Sequence, residues 1–166
     1  MNPGLSWQRL TQSDLGVVVA TASQIHIGLP ERPEVFEEKW RLFPAGCFKL
    51  ADRDKLAGYG FSHPWRFGEV PQLDDFLQRL PADADCLYLH DAVVLPAYRG
   101  QGAAVEFIRI AKNLAAEKQL RHLAMVSVYG TSVFWGGMGF KLETKPELTA
   151  KLQSYGPTAK YMTCAI

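Results

Sequence analysis

The stretch from Cys86 to Ala104, CLYLHDAVVLPAYRGQGAA, runs from an apolar segment through a Pro- and Gly-punctuated turn into the start of a helical pattern. Cys86 to Val94 is rich in Leu, Val and aromatic residues, which predicts a buried strand. Pro96 to Gly102 is a turn. From Ala103 to Lys118, apolar residues at Val105, Ile108, Ala111, Leu114 and Ala115 predict a long helix with one side on a sheet. Gly100 and Gly102 remove side chains where the backbone must turn tightly and approach a ligand. The helix behind them offers unpaired N–H groups and the positive end of its dipole, which together favour an anion. The candidate contacts are the main-chain amides of Gln101, Gly102, Ala103 and Ala104, with Arg99 adding charge. A plain connector is the competing reading. A P-loop would end in Gly-Lys-Ser or Gly-Lys-Thr, and a dinucleotide fingerprint would carry a third glycine; neither pattern is present here.

Outward from this stretch, the chain reads as mixed α/β. Upstream, Leu5 to Leu10 suits an edge strand. Thr11 and Asp14 resemble a capping arrangement ahead of a helix from Leu15 to Ile25. Val35, Phe36, Trp40 and Phe43 mark a second helix that Pro44 stops. Cys47 to Leu50 and Leu56 to Phe61 read as a strand pair, followed by an irregular region with a short helix over Leu73 to Leu80. Downstream, Leu123 to Tyr129 is a strand, Ser132 to Met138 a short helix and Phe140 to Leu142 another strand. A helix over Glu147 to Tyr155 and a strand over Tyr161 to Ile166 finish the chain. With no repeat and no composition break, residues 1–166 are expected to form a single domain, a mixed central sheet with helices on both faces.

The bulk numbers narrow the function classes. The 166 residues are 48% hydrophobic and 21% charged, which argues against wholesale disorder. Eighteen Lys and Arg balance seventeen Asp and Glu, so no net charge calls for nucleic acid or an acidic membrane. Met1 to Trp7 has no basic segment followed by a long apolar run, and no apolar run is long enough to span a bilayer. A cytoplasmic protein is expected, with Cys47, Cys86 and Cys164 as ordinary buried thiols. His26, His63, His90 and His122 lack metal-ligand spacing, so no metal is expected.

The tract from Val94 to Ala104 resembles the acyl-CoA pyrophosphate motif of the GNAT (GCN5-related N-acetyltransferase) superfamily. That motif is Gln or Arg, two residues, Gly, one residue, then Gly or Ala; Arg99, Gly102 and Ala104 occupy its places. Phe134 to Phe140, FWGGMGF, resembles the family's aromatic helix ending in Gly-Phe. The resemblance implies the GNAT fold and acetyl-CoA as cosubstrate. It also implies that the cosubstrate enters between two splayed central strands and that pantetheine pairs with backbone near Val93 and Val94. Leu89 to Val94 further resembles the matching strand of arylalkylamine N-acetyltransferases, in which histidines relay protons through water. His90 matches one of those histidines, and Tyr88 stands where the second would be.

His90 is therefore the candidate base, since imidazole titrates near neutral pH. Strand alternation places Tyr88 and His90 on one face and Leu89 and Asp91 on the other, unless a bulge resets it. Asp91 is a candidate to attract a cationic amine or to orient another side chain. Where many GNAT enzymes carry a tyrosine as thiolate acid, this chain has Trp135, whose indole N–H is no acid at neutral pH. Val128 replaces the asparagine that often opens that segment, and Ser132 or Thr131 is expected to take over its pantetheine contact. Tyr129 and Tyr155 are the alternative proton donors. Trp40 and Trp65, with Phe43 and Phe67, are candidates for an aromatic acceptor pocket, and Glu37 and Glu38 for attracting an ammonium group. The expected function is acetyl transfer from acetyl-CoA to a small primary amine by direct attack. Peptide acetylation and a non-catalytic CoA-binding module remain as alternatives, and a homodimer is left open.

Overall fold

The computed structural model describes residues 4–166; Met1 to Pro3, part of the start expected to lack a signal segment, lie outside the described residues. The strands are β1 (Leu5–Arg9), β2 (Cys47–Asp52), β3 (Lys55–Trp65), β4 (Cys86–Val94), β5 (His122–Ser127), β6 (Lys141–Leu142) and β7 (Lys160–Ala165). The helices are α1 (Leu15–Ile25), α2 (Pro33–Leu42), α3 (Ala103–Glu117), α4 (Ser132–Gly136) and α5 (Thr149–Ser154). Among the described residues the strands form one sheet in the order β1-β2-β3-β4-β5-β7-β6. Every neighbouring pair is antiparallel except β4 and β5, which run parallel in the middle. The α3 crossover between those two strands covers one face. Its Phe107, Ile108, Ala111, Leu114 and Ala115 pack on Leu87, Leu89, Leu123 and Met125. Helices α1 and α2 cover the other face, with Val18, Ala22 and Phe36 against Tyr59, Phe61 and Val93. Farther along that face, Leu148 and Tyr155, which flank α5, pack with Tyr88, Ala124 and Tyr161.

This is the expected α/β sheet with helices on both faces, and the differences are local. Spans α1 and β4 match the sequence reading, and Thr11 N–H donates to Asp14 Oδ2 at 2.8 Å ahead of α1. Strand β3 runs on to Trp65, so His63, Pro64 and Trp65 belong to the sheet and not to the expected loop. The helix expected over 73–80 does not form. Glu38 captures the N–H groups of Leu77 and Gln78 at 2.7 and 2.8 Å, and Asp74 and Gln78 hold left-handed φ angles of 52° and 62°. Amides committed to a side chain cannot close helical rings. Val105, expected to face the sheet, is 60% exposed at the rim of the first turn of α3.

One irregularity in β4 matters most. In its pairing with β3, Phe61 lies opposite Asp91 and Ser62 opposite Leu89, so His90 is an extra, unmatched residue. Such a bulge resets the alternation of side chains along a strand. Asp91 therefore joins Tyr88 on the α1/α2 side instead of sharing the α3 side with Leu89, the arrangement that strict alternation predicts.

Candidate functional site

Strands β4 and β5 pair only over Cys86–Leu89 and His122–Met125. Beyond Leu89 the two diverge, and the edge of β4 from His90 to Val94 faces a cleft of about 610 Å³. The opposite wall carries Met125, Val126, Val128, Thr131 and Trp135. One end of the cleft reaches the turn at Gly100 and Gly102, and the other reaches Leu29, Glu31, Leu73 and Tyr155.

The turn end is built from backbone. Gly100 and Gly102 have φ of 75° and 80°, the left-handed region that side-chain-bearing residues disfavour. A Cβ on either would meet nothing within 4 Å, so what demands glycine is the torsion and the open approach, not crowding. Gly102 caps α3, leaving the first amides of that helix without intrahelical partners, the arrangement that favours an anion. Arg99 folds back, its Nε donating to Val94 O at 3.0 Å, which ties the turn to the end of β4. Arg99, Gly100, Gly102, Ala103 and Ala104 line the cleft, as do Val93 and Val94; Gln101 is not among its lining residues.

The opposite end is built from side chains. His26, just past α1, has Nε2 at 3.1 Å from Asp91 Oδ1 and Nδ1 at 3.3 Å from the Tyr129 hydroxyl. The buried Tyr59 hydroxyl donates to Asp91 Oδ2 at 2.7 Å. Next to this pair sits a second: His90 Nε2 lies 2.8 Å from Glu31 Oε1, with the Lys39 ammonium 4.0 Å from Glu31 Oε2. Side-chain exposure separates them, at 17% and 11% for His26 and Asp91 but 2% and 8% for His90 and Glu31. Burial alone would lift the Glu31 carboxyl, but the facing His90 and Lys39 hold it at about 2. Burial pulls His26 down, yet the hydrogen bond and charge of Asp91, helped by Glu31, lift it above the ordinary histidine range. Behind them, burial and the nearby His90 push His63 down to about 3, so its ring stays neutral.

A sequence model described as the Acetyltransferase (GNAT) family matches residues 18–131. The chain belongs to that family. No curated protein sequence matches it. Among solved structures it is similar to Ard1 from Thermoplasma volcanium, at a TM-score of 0.74 and 11% identity over 98% of each chain. It is likewise similar to the loading GNATL domain of CurA from Lyngbya majuscula, at 0.74 and 14% over 96% of each chain. Rv2747 from Mycobacterium tuberculosis, solved with CoA and NLQ, gives 0.71 and 14% over 97% of this chain and 99% of that one. At these identities the likeness is one of fold.

On this GNAT framework the remaining sequence-predicted residues fall as follows. Trp135 lines the cleft, but its indole N–H is taken by Thr131 Oγ1 at 3.1 Å, and Thr131 in turn donates to Val128 O at 2.7 Å. Thr131 lines the cleft; Ser132 is not among the lining residues and lies 3.5 Å from Lys160 Nζ. Tyr88 and Tyr155 reach the deep end, hydrogen-bonded to each other, with Tyr155 donating to Pro71 O at 2.8 Å. Burial raises both phenols far above neutrality. Tyr129, 53% exposed, stands at the mouth with φ of 55°, an uncommon torsion for a bulky residue.

The aromatic residues expected in the acceptor pocket are placed elsewhere. Trp40 packs beneath α1 with its indole N–H on Leu10 O at 3.1 Å. Trp65 lines a separate depression with Val70, Phe76 and Leu148, and Phe67 packs on His122 at 4.6 Å between ring centroids. Glu38 is buried in its bonds to the 77–78 amides and unavailable to an ammonium group. The cysteines are free and buried, and burial pushes Cys47 and Cys86 up to about 12. Among the described residues, no group of three His, Cys, Asp or Glu side chains is placed to hold a metal ion. Nor is any described helix long and apolar enough to cross a membrane.

Sequence reasoning missed Glu31 and Tyr59 and ranked His26 below His90. Tyr59 and Glu31 carry no local signal, because their partners lie 32 and 59 positions away. The available hint was His26 in the short link between two helices.

Proposed function

We propose that this protein is an acetyl-CoA-dependent N-acetyltransferase that acts on a small primary amine with an apolar or aromatic portion. The observation that carries this reading is the cleft itself. An unpaired strand edge, His90 to Val94, leads from the Gly100–Gly102 turn to a pocket with ionisable groups. Acetyl-CoA would lay its pyrophosphate on the turn amides and its pantetheine along the β4 edge. Amides near Val93 and Val94 would polarise the thioester carbonyl and stabilise the charge that develops there. The reading takes residues 1–166 as one catalytic domain, and it continues the likeness of Leu89–Val94 to arylalkylamine N-acetyltransferases.

Two features support a small acceptor over a peptide. Ile25, Leu29, Leu73, Tyr88, Val126 and Tyr155 make the acceptor end mostly apolar and aromatic, while Asp91 supplies negative charge for an ammonium group. His26 and Tyr129 stack at 5.8 Å across the mouth and narrow the opening that a peptide backbone would need. Chemistry then consists largely of holding the amine against the thioester.

The test is CoA release from acetyl-CoA with a panel of arylalkylamines, alkylamines and amino-terminal peptides. Amine-dependent release with the small aromatic members is expected. Turnover confined to peptides would remove the small-molecule assignment. Acetyl-CoA binding with no amine-dependent release would leave a CoA-binding module without transferase activity.

A further inference from the structure

We infer that His26, held by Asp91, is the base that takes the proton from the acceptor amine, which deepens the transferase reading above and rests on it. The geometry of three side chains points this way. Asp91 Oδ1 lies 3.1 Å from His26 Nε2, so the carboxylate fixes the tautomer that carries its proton on Nε2 and its lone pair on Nδ1. Asp91 is itself oriented from behind by the Tyr59 hydroxyl at 2.7 Å. Burial and the Asp91 charge keep that phenol protonated, so it stays a donor. A buried donor, a carboxylate and an imidazole in line form the orienting half of a nucleophile-activating constellation. Nδ1 is thereby left as an acceptor on a residue that lines the cleft. Its resting neighbour, the Tyr129 hydroxyl, is 3.3 Å away, long for an O–H···N bond and open to replacement by an amine or a water.

The neighbouring pair lacks these properties. His90 Nε2 is spent on Glu31, its side chain is 2% exposed, and its buried Nδ1 has no hydrogen-bond partner among the described residues. Glu31 also faces Lys39, and His63 lies beside His90 at 6.2 Å between ring centroids. His90 and Glu31 line the cleft, but Glu31 is committed to His90 Nε2 and faces Lys39. The groups facing His26 are Asp91 from β4, Tyr129 from the β5–α4 link, and Glu31 from the α1–α2 link at longer range. The bulge at His90 makes the arrangement possible, because without it Asp91 would point to the α3 side.

In the step, the neutral amine nitrogen attacks the acetyl carbonyl carbon and forms the C–N bond. An N–H proton passes to His26 Nδ1, directly or through one water. The C–S bond breaks and CoA leaves as its thiolate. The imidazolium and the thiolate then settle their protons with solvent, so the charges balance.

The experiment uses the full chain, acetyl-CoA and an amine whose own pKa lies below the tested range, so that only the protein titrates. Wild-type kcat should rise with pH through a single group above the ordinary histidine value of about 6.5. His26→Gln should remove that limb and lower kcat by roughly 100-fold, with the KM for acetyl-CoA little changed. Asp91→Asn, which withdraws the group that lifts His26, should move the limb to lower pH and reduce the plateau. If His26→Gln folds and keeps the limb, or if the limb vanishes only in His90→Gln, the inference is overturned while the transferase reading stands. If the wild type binds acetyl-CoA but releases no CoA with any amine, the transferase reading falls, and the base assignment with it.

Discussion

The two ends of the cleft are built by opposite means. At the turn end, Gly100 to Ala104 offers backbone amides and left-handed torsions, with open space around each glycine. At the histidine end, everything is side chain: His26, Glu31, Tyr59, His90, Asp91 and Tyr129, drawn from β3, β4 and two connections and tied by short polar contacts. Backbone sites bind an anion without storing much folding energy. Buried side-chain networks hold the fold together and resist change as a unit. Damage at one end should therefore appear as lost affinity, and damage at the other as lost stability.

The sharpest way to break this contrast is Glu31→Gln. It takes the buried carboxylate away from His90 and from the Lys39 ammonium 4.0 Å away, and removing one partner of such a buried pair costs about 3–5 kcal/mol. Urea unfolding should show a loss of that order, with acetyl-CoA affinity nearly intact in the folded fraction. The reciprocal change is Gly102→Val. A side chain at φ of 80° costs roughly 1–2 kcal/mol in the loop, so the turn relaxes and acetyl-CoA affinity falls by about 5- to 30-fold in calorimetry. Its melting temperature should move by no more than a few degrees. Equal losses of affinity and stability in both variants would erase the distinction.

A third measurement sharpens the comparison through pH. Glu31 has a folded pKa of about 2, below its unfolded value, so its contribution is present above about 4.5 and lost as pH falls toward 2. His63 is also depressed, to about 3, which means the unfolded chain binds its proton first as pH drops below about 6.5. Each such group should lower stability by about 1.4 kcal/mol per pH unit within its window. Wild-type stability should decline from pH 6.5 downward and more steeply below 4.5. His63→Phe should flatten the upper part, whereas Gly102→Val should follow the wild-type curve. The smallest effect is expected for Thr131→Val. It withdraws the acceptor of the Trp135 indole N–H and should cost about 1 kcal/mol by thermal unfolding.

The same contrast explains what was legible in the sequence. The turn could be read because its signal is local: two glycines, a helix start and the strand before it lie within a few residues. The bounds of α1 and β4 were legible for the same reason, through capping residues and an apolar run. The aromatic residues misled because a Trp in a suspected loop looks like a pocket wall. Trp65 is in β3, and Trp40 gives its indole to Leu10 O. The helix expected over 73–80 failed because Glu38, from a different helix, claims its amides. His26 offered only its place in the short link between two helices, because its partner Asp91 is turned toward it by a bulge 64 residues later, and bulges leave no composition signature in a strand this apolar.

That bulge has a further consequence. A strand obeys an odd–even rule, and the surplus residue at His90 acts as a frameshift written in three dimensions. Upstream of it, Leu89 belongs to the α3 layer; downstream, Asp91 and Val93 face α1 and α2. Removing one residue there would leave the composition of β4 almost untouched while inverting the parity of its whole downstream half. Deletion at position 90 is thus a different kind of lesion from substitution at position 90. A substitution edits one letter of the site, whereas the deletion would turn the page over.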